Sequence, residues 1–316
     1  MAKVAGVGSL VVDVTAYAPH LPVHGETTVG TMFRMGPGGK GSNQITAAHR
    51  AGAEAVIISK VGNDFMAEIM LDHYKKEGMT TRHIKTADGV STGAALIEVD
   101  EKSAQNRIII IKGANDKITG ADVLCAEDDF KTCDAVITQL ETNIDSVAEC
   151  MRMAKKYGKP FILNPAPFQK IPEEIIKNAD YITPNETEAE FFTGVHIENT
   201  SDAKKAAAVF IEKGVKNVII TLGKSGVYYT DGKTEIYLPA IKVKAVDTTG
   251  AGDAFNGAFA AAVAMNFEIG DALRFANAGG ALSVTKLGTA PSVAYKKDIY
   301  DLVLKEYGIN PEKKYE

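Results

Sequence analysis

Five short apolar runs, each close to a stretch of helical spacing, constrain this chain more than any other feature. The runs are EAVIIS (54–59), DAVITQL (134–140), KPFILN (159–164), ADYITP (179–184) and KNVIITLG (216–223). Helical patterns fall at about 41–51, 64–77, 143–157, 186–193 and 202–213. A strand that is apolar at consecutive positions buries both of its faces, and alternation with helices supplies the two covering layers. The expected fold is therefore α/β: a doubly wound, mostly parallel central sheet with helices on both faces. In such sheets ligands bind beyond the carboxyl ends of the strands, so the loops that follow the runs are where chemistry is sought. With 316 residues, 45% of them hydrophobic, the chain is long enough to bury one large core, and a single domain over 1–316 is expected.

Two stretches break the alternation. Residues 10–36 hold the strand-like LVVDVTAYA and TTVGTMFRM, and 93–112 read as a hairpin, GAALIEVD and NRIIIIKG, joined by the turn EKSAQ. Ile108 to Ile111 are four consecutive apolar positions, so both faces of this small sheet want covering. One face is expected to close over a substrate as a β lid, and the other to meet a second subunit in a homodimer; the plainer reading is that these strands extend the main sheet. The tail NPEKKYE is expected to be loose.

Charge and cysteine usage exclude several classes. The balance of 35 basic and 40 acidic residues, a net charge of -5, argues against a nucleic-acid or anionic-membrane partner. Cys125, Cys133 and Cys150 lack metal-ligand or CxxC spacing, so buried, reduced thiols in a cytoplasmic protein are expected. The N-terminal MAKVAGVGSLVVDV reads straight into a strand, without secretory-signal regions, and the apolar 257–265 is too short to span a bilayer.

The stretch DTTGAGDAFNG (247–257) sets Gly250, Ala251 and Gly252 against a carboxylate, Asp253, at the start of an alanine-rich helix. Glycines permit close approach, and the first amides of a helix have no intrahelical acceptor, so this turn can present convergent donors to an anion. A carboxylate beside an anion site is unfavourable unless it has work to do, such as accepting a proton from an attacking hydroxyl. An aspartate that merely stabilises a helix N-terminus is the plainer reading, and the stretch alone leaves both open. GPGGKGSNQ (36–44) is a second glycine-rich turn, with Lys40, Asn43 and Gln44 suited to a polyol. In TPNETEAE (183–190), Asn185 and Glu188 lie one helical turn apart, either holding a hydrated magnesium ion or capping a helix. TLGKSG (221–226) either lines a nucleotide or only turns a hairpin.

Taken together, GSLVVD, GGKGSNQ, TQLE, LNPAP, TPNETEAE, TLGKSGV, AVDTTGAGDAFNGA and GTAPSV, in order from about residue 6 to 293, resemble the ribokinase family, the PfkB carbohydrate kinases. The resemblance implies a ribokinase-like fold and ATP-dependent phosphorylation of a hydroxymethyl group of a sugar or nucleoside, with magnesium. It implies that Asp253 is the catalytic base, with the amides of Gly250, Ala251 and Gly252 as the anion hole. Asp13, Gly39, Lys40, Asn43 and Glu141 match the positions that hold sugar hydroxyls. Asn185, Thr221, Gly223, Ser225, Gly226, Gly252 and Asn277 match the nucleotide site, with Asn185 and Glu188 near magnesium. Asp247, Thr249, Lys286, Gly288 and Ser292 resemble a potassium site. Family members often carry histidine at the place of Asn277 and arginine at that of Lys286, so different adenine contacts are implied. The similarity of the GGKGSNQ loop, Asp13 and Glu141 to ribose binders implies D-ribose as acceptor and D-ribose 5-phosphate as product. Deoxyribose, another pentose, fructose or a nucleoside is the alternative. A dinucleotide-binding oxidoreductase is the rival from another class, and it is weak: GVGSLVVD has Gly6 and Gly8 but Val11 where a third glycine belongs.

Overall fold

The computed structural model describes residues 1–103 and 105–315. In chain order the first half holds β1 (Lys3–Val7), β2 (Val11–Ala18), β3 (Met32–Gly38), α1 (Lys40–Arg50), β4 (Glu54–Val61), α2 (Phe65–Lys76), β5 (Ile84–Thr86), β6 (Gly93–Asp100), β7 (Asn106–Ile111), α3 (Gly120–Leu124), α4 (Glu127–Thr132), β8 (Ala135–Thr138) and α5 (Ile144–Lys156). The second half holds β9 (Phe161–Leu163), α6 (Glu173–Lys177), β10 (Tyr181–Ile182), α7 (Glu186–Thr193), α8 (Thr200–Glu212), β11 (Asn217–Thr221), β12 (Val227–Thr230), β13 (Glu235–Leu238), α9 (Ala251–Ala264), α10 (Ile269–Ser283), α11 (Lys296–Tyr307) and α12 (Pro311–Tyr315).

The nine-stranded sheet has the order β13-β12-β11-β10-β9-β8-β1-β4-β5. It is parallel from β5 to β11 and antiparallel only at β12 and β13, so the doubly wound expectation holds. Neighbouring residues of one strand enter different cores. Ile137 and Ile219 pack with Ile45 of α1 and with Phe255 and Phe259 of α9, while Val136, Val218 and Ile220 pack with Val147 of α5 and Phe210 of α8. Burial of each such side chain contributes about 1.5–3 kcal/mol, which is why the strand sequences stay apolar at every position. Helix α9 is rich in small residues because it crosses α1 at contact distance: a Cβ added at Gly257 would overlap Gln44 O.

The small sheet is separate, with order β3-β2-β6-β7. Its β3 begins at Met32, so the TTVG part of the anticipated strand is irregular chain, and Ala104 of the anticipated EKSAQ turn lies outside the described residues. Asn115 stitches its root to the main body: Oδ1 accepts from Leu10 N, and Nδ2 donates to Leu10 O and Lys112 O, each at 2.9 Å. Asp64 does the same on the other side, accepting from Thr92 N and Thr92 Oγ1, both at 2.7 Å.

Two expectations need correction. Residues 311–315 are not loose but form α12, whose Tyr315 stacks on Phe267 at 3.9 Å between ring centroids and donates its hydroxyl to Asp271 Oδ2 at 2.8 Å; Glu316 lies outside the described residues. A stacked ring and a charge-assisted hydrogen bond anchor a short segment that composition alone marks as polar. Cys133 and Cys150 are buried free thiols as expected, but Cys125 is exposed, its sulfur accepting from Lys85 Nζ at 3.4 Å.

Candidate active site

The carboxyl ends of β9, β10 and β11 converge on one cleft, lined by Asn164, Thr183 and Thr221, and the turn before α9 closes it. Gly250 sits at φ 78°, left-handed backbone that favours glycine, and starts α9 without a side-chain cap. Ala251 lines the cleft, and its N donates to Thr248 O at 3.3 Å. The first-turn amides without an acceptor inside the helix are then those of Gly252 and Asp253. A Cβ built on Gly252 would meet nothing within 4 Å, so that residue fronts open space. Asp253 is 6% exposed. Its Oδ2 accepts from Asn43 Nδ2 at 2.9 Å and its Oδ1 from Gln44 Nε2 at 3.0 Å.

Helix α1 supplies those partners from the opposite wall. Gly39 precedes it at φ 86°. Lys40 lines the cleft; the Asp253 carboxylate, followed by Glu141 and Glu188, raises its pKa against the opposing effect of burial. Glu141 Oε2 accepts from Ser9 Oγ at 2.5 Å and from Lys40 N at 2.9 Å, so this carboxylate braces the glycine turn as well as facing the site. Asp13, on β2, is pushed up to about 6, chiefly by burial and further by Glu141, Asp253 and Asp247, while a hydrogen bond from Thr289 Oγ1 at 2.9 Å works the other way. Gln44 departs from the polyol role expected of it: it is fully buried and points at Asp253 and Asn164.

On the third wall Asn185 and Glu188 form a capping box on α7. Asn185 N donates to Glu188 Oε2 at 2.9 Å, and Glu188 N donates to Asn185 Oδ1 at 2.8 Å. The capping reading is thus realised, yet both residues also line the cleft beside Thr221. Burial raises the Glu188 carboxyl above its ordinary range.

Residues 1–295 match the sequence profile of the pfkB family carbohydrate kinases. The chain belongs to the pfkB family of carbohydrate kinases. It is 39% identical over 297 residues to the ribokinase of Haemophilus influenzae, covering 94% of this chain and 96% of that one. It is 35% identical over 290 residues to the deoxyribokinase of Salmonella typhi, covering 92% and 94%. A crystal structure of ribokinase from Thermotoga maritima superposes with a TM-score of 0.87 at 35% identity, covering 97% of this chain and all (100%) of that one. The Arabidopsis thaliana ribokinase complexed with ribose and ATP superposes at 0.88 with 28% identity, covering 96% and 99%. This chain is therefore a phosphotransferase with a hydroxyl acceptor.

Not every residue anticipated for the kinase's site lines its cleft. Gly223, Ser225 and Gly226 form a tight turn from β11 into antiparallel β12, where Ser225 O accepts from Tyr237 OH at 2.6 Å. Asn277 Nδ2 is committed to Pro239 O at 3.0 Å and Tyr307 OH at 2.8 Å. Asp247 accepts from Thr249 N at 2.9 Å and Gly288 N at 3.1 Å, Ser292 Oγ donates to Thr289 O at 2.7 Å, and Lys286 N donates to Ser283 O at 3.2 Å. Asp247 therefore ties the 247–249 and 286–292 segments together. Five cleft residues were not anticipated: Asn164, Ala166, Thr183, Thr248 and Asn256. Asn164 and Thr183 directly follow Leu163 and Ile182, the last residues of β9 and β10. A polar residue directly after a buried parallel strand is the signal that marks them.

Proposed function

We propose that this kinase transfers the terminal phosphoryl group of ATP to the 5-hydroxymethyl oxygen of D-ribose, giving D-ribose 5-phosphate and ADP. The observation that carries the reading is Asp253: a buried carboxylate, held by one amide donor on each oxygen, at a helix start whose Gly252 fronts open space. ATP fits this donor set, since Gly252 leaves room for a phosphate against the first-turn amides and Lys40 brings a positive charge. Magnesium fits the buried Glu188 carboxylate with Asn185 beside it. Bound ATP and magnesium supply the transferable group and spread its charge. The chain's own residues do the rest. Asp13, Gly39, Lys40, Asn43 and Glu141 orient the sugar hydroxyls, Asp253 takes the proton of the attacking one, and the amides stabilise the developing charge. Thr221, Gly223, Ser225, Gly226 and Asn277 border the nucleoside end. Potassium is assigned to the turn of Asp247, Thr249, Lys286, Gly288 and Ser292, acting on loop order.

The 35% identity to a deoxyribokinase favours deoxyribose as the second reading. Coupled ADP-release kinetics over ribose, deoxyribose, fructose and nucleosides, run in potassium and in tetramethylammonium salts, test both sugar and cation. The highest kcat/KM with ribose and faster turnover in potassium are expected; a nucleoside preference or equal rates in the two salts would refute the respective assignment.

Asp13 makes the sugar affinity pH-dependent. Its raised pKa means that protons bind as pH falls through about 6, removing a hydroxyl acceptor. KM for ribose should rise below that pH and be flat above it. Asp13→Asn should have a high KM with no inflection there; an inflection that survives the substitution would assign it elsewhere.

The small sheet is proposed as a lid within a single domain, and as the dimer interface. Ile108, Ile109, Ile110 and Ile111 on β7 are 39–64% exposed although consecutive, so both faces of this edge strand are open apolar surface. A second copy covers the outer face. Light scattering should give twice 33.7 kDa, and Ile109→Lys should give the single mass. A cytoplasmic location is proposed from the three free cysteines; no helix among the described residues is long and apolar enough to cross a membrane.

A further inference from the structure

Behind Asp253 lies a chain of three carboxamides with almost no exposure: Gln139 at 1%, Gln44 at 0% and Asn164 at 5%. Gln139 Nε2 donates to Gln44 Oε1 at 2.7 Å. Gln44 Nε2 donates both to Asp253 Oδ1 at 3.0 Å and to Asn164 Oδ1 at 2.9 Å. Asn164 Nδ2 donates to Thr183 O at 2.8 Å. The polarity of this chain follows from its ends. A carboxylate only accepts, and the Asn164 amide is turned by a backbone carbonyl so that its oxygen faces Gln44. Two acceptors therefore meet the Gln44 NH2 group, which leaves the Gln44 oxygen for Gln139 and forces Gln139 to present its own NH2. The remaining Gln139 Oε1 is left buried without a partner. It lies against Gly8, where a Cβ would come within 2.5 Å. That orphaned oxygen marks the end at which the polarity imposed by Asp253 runs out of partners.

We propose that Gln44 is the positioning residue of Asp253 and that Gln139 acts through Gln44, locking its amide so that a donor always faces Asp253 Oδ1. The inference rests on the reading of Asp253 as the base. With the lock in place the carboxylate has one rotamer relative to the sugar hydroxyl. Without it, Gln44 is held only through the two acceptors on its NH2 group, its amide plane tilts away from Asp253 Oδ1, and the carboxylate loses its fixed partner.

The test is a double-mutant cycle in kcat with Gln44→Met and Gln139→Met, which keep length and remove the donors. Gln44→Met is expected to lower kcat by about 10- to 100-fold, as a displacement near 1 Å of a reacting group does, with KM for ribose and ATP within about threefold. Gln139→Met, which touches neither Asp253 nor the cleft, is expected to show the same split. The double variant is expected to be no slower than Gln44→Met alone, because the two act in series. Calorimetric titration with ribose counts folded sites, so lost protein is not mistaken for lost turnover. Should either methionine variant fail to fold, Gln44→Glu keeps the shape and replaces the donor by an acceptor, and its kcat should fall at least as far. The proposal is overturned if kcat per folded site stays within twofold of the parent in the single variants or in Gln44→Glu, or if the two losses multiply in the double variant. Its failure is separable from failure of the base assignment, since Asp253→Asn turning over normally sinks the latter, whereas a crippled Asp253→Asn beside a normal Gln44→Met sinks only the former.

Discussion

Asp253→Asn is expected to lower kcat by about 100- to 10,000-fold, the usual contribution of a positioned general base, while KM for ATP and ribose changes only a few-fold. The structure gives a reason why the fold should tolerate the change. Both oxygens of Asp253 accept from amide NH2 groups, so an asparagine must set its own NH2 against one of them. Gln44 cannot turn to receive it, being fixed by Asn164 and Gln139. Asn43 can, because its buried Oδ1 has no hydrogen-bond partner and an amide flip would present that oxygen to the new donor. The substituted side chain thus keeps its place with its oxygen toward Gln44 and loses only basicity. Steady-state kinetics with calorimetry on this variant separates the roles: a mere helix-terminus carboxylate would leave turnover within a few-fold of the parent and cost a few tenths to about 1 kcal/mol of stability.

Gly41→Ala should be the most damaging change in the glycine-rich turn, and Gly36→Ala nearly silent. A Cβ at Gly41 would overlap Ser9 N and Gly8 C, backbone atoms of the β1–β2 connection that cannot rotate away. The same connection is bonded to the turn through Ser42 N to Ser9 O at 2.9 Å and Gly41 N to Ser9 Oγ at 3.2 Å. Forcing them apart costs about 3 kcal/mol or more, a fall of roughly 5–10 °C in the thermal midpoint, and moves Lys40, Asn43 and Gln44 together relative to Asp253, so kcat/KM falls as well. At Gly36 a Cβ meets nothing within 4 Å. Equal thermal midpoints for the two alanine variants would show that the close approach is not what the turn requires.

Gly36 and Gly41 look alike in the amino-acid sequence, and only the packing of the chain separates them. Other features differ in the same way in how far sequence discloses them. The parallel strands were legible because burial on both faces writes itself into consecutive residues such as VIIT. The antiparallel β12 was anticipated only through the hairpin reading of TLGKSG, and β13 not at all, since its EIYL buries a single residue and leaves no apolar run to mark it. Asp253 stood out because a carboxylate beside an anion turn is anomalous. Gln44 was placed correctly in the chain and wrongly in space: an amide following a glycine-rich loop looks like a ligand to a polyol, and only the crossing of α1 and α9 reveals that it faces inward. Tyr315 was hidden for the opposite reason, being the single apolar ring in a segment of charges. Asn256, which donates to Gly252 O at 2.9 Å, gives no sign in sequence beyond its place one helical turn after Gly252.

The bonds that Asn115 and Asp64 make at the root of the small sheet bear on the lid role proposed for it. Leu10, Thr92 and Lys112 lie at three of the places where chain passes between the two sheets, and each is hydrogen-bonded there to a fixed side chain. Such a joint does not swing like a flap on a flexible tether. Movement of the tip must be taken up as added twist along the four paired strands, an elastic deformation shared over many small dihedral changes. If Asp13 holds the sugar as proposed, the wall that bears it would lose little disorder when ribose arrives, and the free energy of sugar contact would go into holding the reacting hydroxyl rather than into ordering the protein.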